Sequence, residues 1–156
     1  MFDLLKKIFI YILCLLPWFI SYIIPVDYSY YNSLKLPFFA PPSIFYGIAW
    51  TTIYILVALS ISQLINTYSF KGLPNSYKIT LLINYLFNQA FTIVFFGLKS
   101  NFLGFISCLG SFVSCLFLYN ETTLLKEKSA KLLNPYIILS LFATVLSLTI
   151  YVMNSI

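Results

Sequence analysis

The sequence predicts an all-α integral membrane protein, a bundle of five transmembrane helices with a long first loop as a lid. Three observations carry that reading. Of 156 residues, 61% are hydrophobic and 8% charged, whereas soluble domains are about 25% charged. The charges are nine lysines with Asp3, Asp27, Glu121 and Glu127, all at or near the ends of apolar stretches. A charge placed there escapes the cost of the bilayer centre. Finally, five apolar stretches each approach the ~20 residues that cross a ~30 Å hydrocarbon core. The whole chain, 1–156, reads as a single five-helix transmembrane domain.

The first helix is expected over about 4–24, behind Lys6 and Lys7. A signal peptide starts similarly, but no small-x-small cleavage site precedes Pro25, which favours a retained helix. Trp18 and Tyr22 suit the aromatic belt of a membrane interface. Residues 25–41 form the longest polar connection, yet Tyr28, Tyr30, Tyr31, Phe38 and Phe39 need something to pack on. They are expected to fold back over the helix ends as a lid.

Pro41 and Pro42 suit a helix start, where a missing N–H costs nothing, so the second helix is expected over about 42–66. Trp50 and Tyr54 stand at i and i+4 and share one face. The turn Lys71–Ser76, with glycine and proline as breakers, leads to a third helix over about 77–98. Lys99–Asn101 then make a tight turn before the fourth helix, 102–123. The charged run Lys126–Lys131 precedes the fifth, 132–152, with Pro135 in its first turn.

Lysine placement predicts orientation. Lys6, Lys7, Lys71, Lys78, Lys126, Lys128 and Lys131 fall on one side, and Lys35 and Lys99 on the other. The positive-inside rule then puts the N-terminus in the cytoplasm and the C-terminus outside, in a bacterial plasma membrane. The positive charge is therefore topology information, and no nucleic-acid partner is expected.

Polar groups inside the spans are the next signal. The third helix carries Asn84 and Asn88 at i and i+4, with Gln89 beside them. An unsatisfied amide in hydrocarbon costs several kcal/mol, so these side chains face protein, water or ligand. Interhelical bonding and a pocket are both open, and three amides in six residues tilt towards a pocket. The fourth helix has a small-residue stripe, Gly104, Cys108, Ser111 and Cys115, with a second pair at Gly110 and Ser114. These serve either internal helix packing or a homodimer seam. Ser140, Ala143 and Ser147 form a similar face on the fifth.

Catalytic and metal chemistry find no constellation. Histidine is absent, no carboxylate pair lies at membrane depth, and Cys14, Cys108 and Cys115 have no metal-ligand spacing. The cysteines read as small buried hydrophobes. No metal and no cofactor are expected. Proton-coupled transport usually needs an intramembrane ionisable group, and none is evident.

The spaced pattern of Tyr31, Leu34, Pro37, Pro41–Pro42, Phe45, Gly47, Trp50 and Tyr54 resembles the signature of the translocator protein (TspO/MBR) family. The resemblance continues through Asn88, Phe95–Gly97, Leu132–Tyr136, Phe142–Ser147 and Asn154. The run Asn84–Phe91 is similar to Bacillus-type members. The resemblance implies a five-helix bundle, usually homodimeric, with a pocket under the first loop. It implies tetrapyrroles such as protoporphyrin IX and PK11195-type compounds as ligands. Residue by residue, it places Tyr31, Pro42, Trp50, Tyr54, Asn88, Gln89, Phe91, Phe142 and Ala143 at the pocket. Asn84, Cys108 and Leu139 complete the candidate ligand-binding set.

The family's light-dependent porphyrin degradation makes an enzyme the alternative, with Trp50 as its catalytic candidate. The chain departs from the degrading members where a fifth-helix tryptophan falls on Leu139 and a fourth-helix aspartate on Ser107. Tyr30 and Phe38 also stand at loop positions that are commonly tryptophan. These departures weigh against the enzyme more than against binding. The family's sterol motif lacks its basic residue between Leu148 and Asn154, so no sterol recognition is expected by that route. A receptor or sensor of tetrapyrroles is the leading reading. A transporter of porphyrin or lipid ligands is the third, and membrane lipid is the remaining partner.

Overall fold

The computed structural model describes residues 2–155. Among them, five helical segments are long and apolar enough to cross a membrane: Phe2–Tyr22, Ser43–Gly72, Asn75–Gly97, Asn101–Leu125 and Glu127–Asn154. The elements are α1 (Phe2–Leu15), α2 (Tyr28–Ser33), α3 (Ser43–Gly72), α4 (Asn75–Thr92), α5 (Asn101–Leu125), α6 (Glu127–Ala130) and α7 (Asn134–Asn154). The bundle is all-α, as expected.

The first span corrects one expectation. Trp18 does not sit in an interfacial belt; it is 2% exposed. Pro17 opens a 3₁₀ segment, Leu16–Tyr22. At three residues per turn, positions i and i+3 share a face, and this turns Trp18 and Ser21 inward together. Trp18 packs on Tyr54 and Tyr85 at ring-centroid distances of 5.6 and 5.3 Å. Tyr22 stays exposed, with its hydroxyl donating to the Gly47 carbonyl at 3.1 Å.

The second span begins at Ser43, with Pro42 in the capping position at φ −54° and ψ 144°. It runs past the expected end at residue 66 to Gly72, with an irregular Ser69 at φ 59° near its end. The expected turn therefore shrinks to Leu73 and Pro74, and Leu73 plugs the core. The third span ends in a π turn, Ile93–Gly97, with the Leu98 amide donating to the Ile93 carbonyl at 3.0 Å. π turns are rare and concentrate at functional sites.

The small stripe of α5 resolves into internal packing. Gly104, Cys108, Ser111 and Cys115 are all buried within the one chain. A Cβ on Gly104 would stand 2.6 Å from Phe95 Cδ2, and one on Gly110 would stand 2.4 Å from Phe87 Cδ1. Only glycine lets Phe87 of α4 and Phe95 of the π turn seat against α5 at those two points.

The lid is tied down at both ends. Asp27 caps α2 by accepting from the Tyr30 amide at 3.1 Å and pairs with Lys99 at 2.9 Å. The Tyr30 hydroxyl lies 2.9 Å from the Lys99 carbonyl oxygen and 2.8 Å from Asn101 Oδ1, two acceptors that share its one hydrogen. Asn154 holds the other end, accepting from the Lys35 amide at 2.9 Å and donating to its carbonyl at 3.0 Å. Of the lid aromatics, Tyr31 is buried and Phe39 packs on Phe142. Phe38 meets the Phe39 ring edge-on at 5.5 Å and is otherwise fully exposed, beside the turn in which the Ala40 amide donates to the Pro37 carbonyl at 3.0 Å.

Candidate functional site: a cavity beneath the lid

Beneath the lid, the helices enclose a cavity of about 430 Å³. α3 supplies Tyr46, Trp50 and Tyr54, one aromatic per turn at spacings of four. Trp50 and Tyr54 lie 6.0 Å apart, and Trp50 meets Tyr136 edge-on at 6.1 Å. The lid contributes Tyr28 and Tyr31, and the Tyr31 hydroxyl lies 3.1 Å from that of Tyr46. The π turn of α4 aims Phe95 and Phe96 inward beside Phe91, which stacks on Phe95 at 5.1 Å. α5 adds Ser107, Cys108 and Ser111, and α7 adds Ser140, Ala143 and Ser147. No charged side chain stands among these lining residues, so the walls offer ring faces and hydroxyls rather than charge.

The amides take a different role from the one their density suggests. The Asn84 amide nitrogen donates to the Ser111 carbonyl and the Ser114 hydroxyl, both at 3.0 Å. Its oxygen accepts from Tyr136 Oη at 3.0 Å. Asn88 donates to Tyr136 Oη at 3.2 Å and accepts from Tyr54 Oη at 3.0 Å. Gln89 accepts from the Ser21 amide at 2.9 Å and donates to the Trp18 carbonyl and Asn88 Oδ1. The three amides thus stitch the 3₁₀ segment, α3, α4, α5 and α7 together, as expected of buried polar groups.

Among the candidate ligand-binding residues, Tyr31, Trp50, Tyr54, Asn88, Phe91, Cys108 and Ala143 share the cavity wall. Asn84 and Gln89 lie behind it in the network. Leu139 packs against the core cluster around Tyr136, Phe142 supports Phe39 of the lid, and Pro42 caps α3 outside the lining. Tyr46, Phe95 and Phe96 escaped sequence reasoning. Tyr46 was within reach of it, since it continues the Trp50 and Tyr54 face one turn upstream. The two phenylalanines were not, because their direction follows from the π turn.

Outside the spans, hydrogen bonding sets the electrostatics of the lid. The Ser29 hydroxyl first, then Lys99 and the Tyr30 amide, hold the Asp27 carboxyl well below the usual carboxylate range. Lys99 adopts φ 51°, a left-handed conformation uncommon for a non-glycine residue, and in it meets Asp27.

Residues 9–153 match the model of the TspO/MBR family. The chain belongs to the TspO/MBR family. It is 39% identical over 134 residues to the Tryptophan-rich protein TspO of Bacillus cereus, covering 86% of each chain. It is 38% identical, over the same shares, to the Uncharacterized membrane protein YtaB of Bacillus subtilis. Protein CrtK of Rhodobacter capsulatus is 26% identical over 81% of this chain and 79% of its own. This TspO/MBR chain is accordingly a membrane protein, in agreement with its five apolar spans.

Proposed function

We propose that this TspO/MBR protein is a membrane receptor or sensor that holds a flat apolar tetrapyrrole, of the protoporphyrin IX kind, in the cavity beneath the lid. PK11195-like apolar compounds compete for the same space. One observation carries the reading. An uncharged cavity of about 430 Å³ has Trp50 and Tyr54 on one wall and Phe91 and Phe95 on another. Ligand sites typically span ~300–1,000 Å³ and combine apolar walls with a few polar groups. Facing rings offer stacking area to a macrocycle, and the Ser107, Ser140 and Ser147 hydroxyls offer polar contacts at its edge.

The reading includes a homodimer in a bacterial plasma membrane, with the N-terminus cytoplasmic. The small stripe of α5 is buried within one chain, which supports a reading in which the dimer uses another face.

Light-dependent porphyrin degradation is the second reading, and one geometric feature favours it. Trp50 touches the cavity and continues through Tyr54 to Trp18 at centroid distances of 6.0 and 5.6 Å, a route by which an excited macrocycle could draw an electron.

Titration of the purified protein with protoporphyrin IX, first dark and then illuminated, tests both. Saturable dark binding that weakens in Trp50→Phe supports the receptor. Bleaching under light that depends on Trp50 supports the enzyme. Absence of saturable binding removes the tetrapyrrole reading.

A further inference from the structure

At the end of the bundle opposite the lid, a second cleft of about 530 Å³ lies between α1 and α3. Its walls change character with depth. Ile8 and Leu59 are apolar and partly exposed, at 46% and 37%. Asn66, Thr67 and Lys126 form a polar rim with Lys7. Leu59 stands ~10 Å deeper along α3 than Asn66, seven residues at a rise of ~1.5 Å each.

The two rim cations differ. Lys7 pairs with Asp3 at 2.6 Å on an open surface. Lys126 is half-buried, and among the described residues it has no carboxylate partner. The nearest polar contact of its ammonium is the Thr67 hydroxyl at 3.4 Å. The surrounding end of the bundle is strongly basic. Lys6, Lys7, Lys71, Lys78, Lys126, Lys128 and Lys131 stand against Asp3, Glu121 and Glu127. Contacts from Ser76 to Glu121 at 2.7 Å and from Tyr68 to the Leu125 carbonyl at 2.8 Å hold these helix ends together.

We propose that this cleft is a binding site for one anionic phospholipid. The phosphate sits against Lys126 and Lys7, and the glycerol and first methylenes run down along Ile8 and Leu59. Basic pockets between transmembrane helices recognise anionic headgroups in this manner. A soluble phosphate leaves the apolar floor unused. A zwitterionic lipid brings its own cation to a rim that already carries Lys126 and the Asp3-paired Lys7. The proposal is independent of what the cavity beneath the lid binds.

The test is lipid retention by native mass spectrometry of the full-length protein, with phosphatidylglycerol, phosphatidylcholine or glycerol 3-phosphate added in turn. One phosphatidylglycerol per chain is expected to be retained in preference to phosphatidylcholine. Lys126→Gln lowers that retention ~5-fold, the effect of one lysine near an anionic surface. Lys128→Gln, which removes an equal charge outside the cleft, leaves it unchanged. Unfolding temperature without added lipid verifies that both variants fold. Equal retention of the two lipids, or equal losses in the two variants, overturns the site. Displacement of phosphatidylglycerol by glycerol 3-phosphate at matched concentration overturns the lipid assignment in favour of a soluble phosphate ester.

Discussion

Tyr54 Oη donates to Asn88 Oδ1 at 3.0 Å, within the cavity wall itself. The hydroxyl from α3 and the amide from α4 therefore serve each other before they serve a ligand. No buried side-chain nitrogen or oxygen among the described residues lacks a partner. The amide cluster is thus a structural seam whose edge touches a binding space, which separates residues that hold the bundle from residues that touch its contents.

Asn84 is expected to matter for stability and not for ligand contact. Asn84→Leu removes two hydrogen bonds donated to α5 and the amide acceptor of Tyr136 Oη, which keeps only Asn88 and Ser111. Leaving such groups unmet costs about 1–3 kcal/mol. Thermal unfolding in detergent should fall by several degrees, and unchanged unfolding would contradict the seam.

Tyr54→Phe should behave differently. Asn88 Oδ1 keeps its bond from Gln89, so stability should fall by only about 0.5–1.5 kcal/mol. The aromatic wall remains, and affinity for protoporphyrin IX should stay within about threefold of the wild-type value. Trp50→Phe keeps the fold but loses ring area, and affinity should drop about 2- to 12-fold, the equivalent of ~0.5–1.5 kcal/mol of aromatic pairing. Fluorescence titration of both variants checks the contrast.

The glycines divide in the same way. Gly104→Ala drives a Cβ into Phe95, with even Phe95 Cβ at 3.3 Å, and overpacking of this kind costs about 1–3 kcal/mol. Gly47 lines the cavity and faces open space. Gly47→Ala should hold or raise the unfolding temperature, because alanine is the better helix former. Gly47→Leu should keep the fold while filling the cavity, and its titration should show lost binding without lost stability.

Lid closure should depend on acid only. Asp27 has a depressed carboxyl pKa, so its contribution is fully present above the ordinary aspartate value of ~3.9. It is lost as pH falls from there through the lower folded-state value. Between pH 5 and 8, limited proteolysis within residues 28–40 should be slow and flat. Asp27→Asn removes the Lys99 partner and should speed cleavage across that whole range, with no further acceleration in acid.

Much of the architecture was legible one residue at a time. The Trp50 and Tyr54 face and the Ser140, Ala143 and Ser147 face follow from spacing along a helix, and the lid follows from the aromatic residues of the 25–41 connection, which need something to pack on. Trp18 was misplaced because its direction depends on the tightened turn after Pro17. The amides were ambiguous for a different reason. Asn84 and Asn88 share a face, but whether that face meets a neighbour or a void depends on Tyr136, which lies far along the chain.

By itself the sequence determined which segments cross the membrane, because the cost of a charge in hydrocarbon is local and leaves its mark in where lysines stand. It also determined which residues share a face, because helix geometry is local too. Only the tertiary structure decided which faces meet protein and which meet empty space. The π turn at Ile93–Gly97 and the seating of Phe95 over Gly104 are the clearest cases. Both depend on how closely two helices approach, and that distance is set by the packing of all five together.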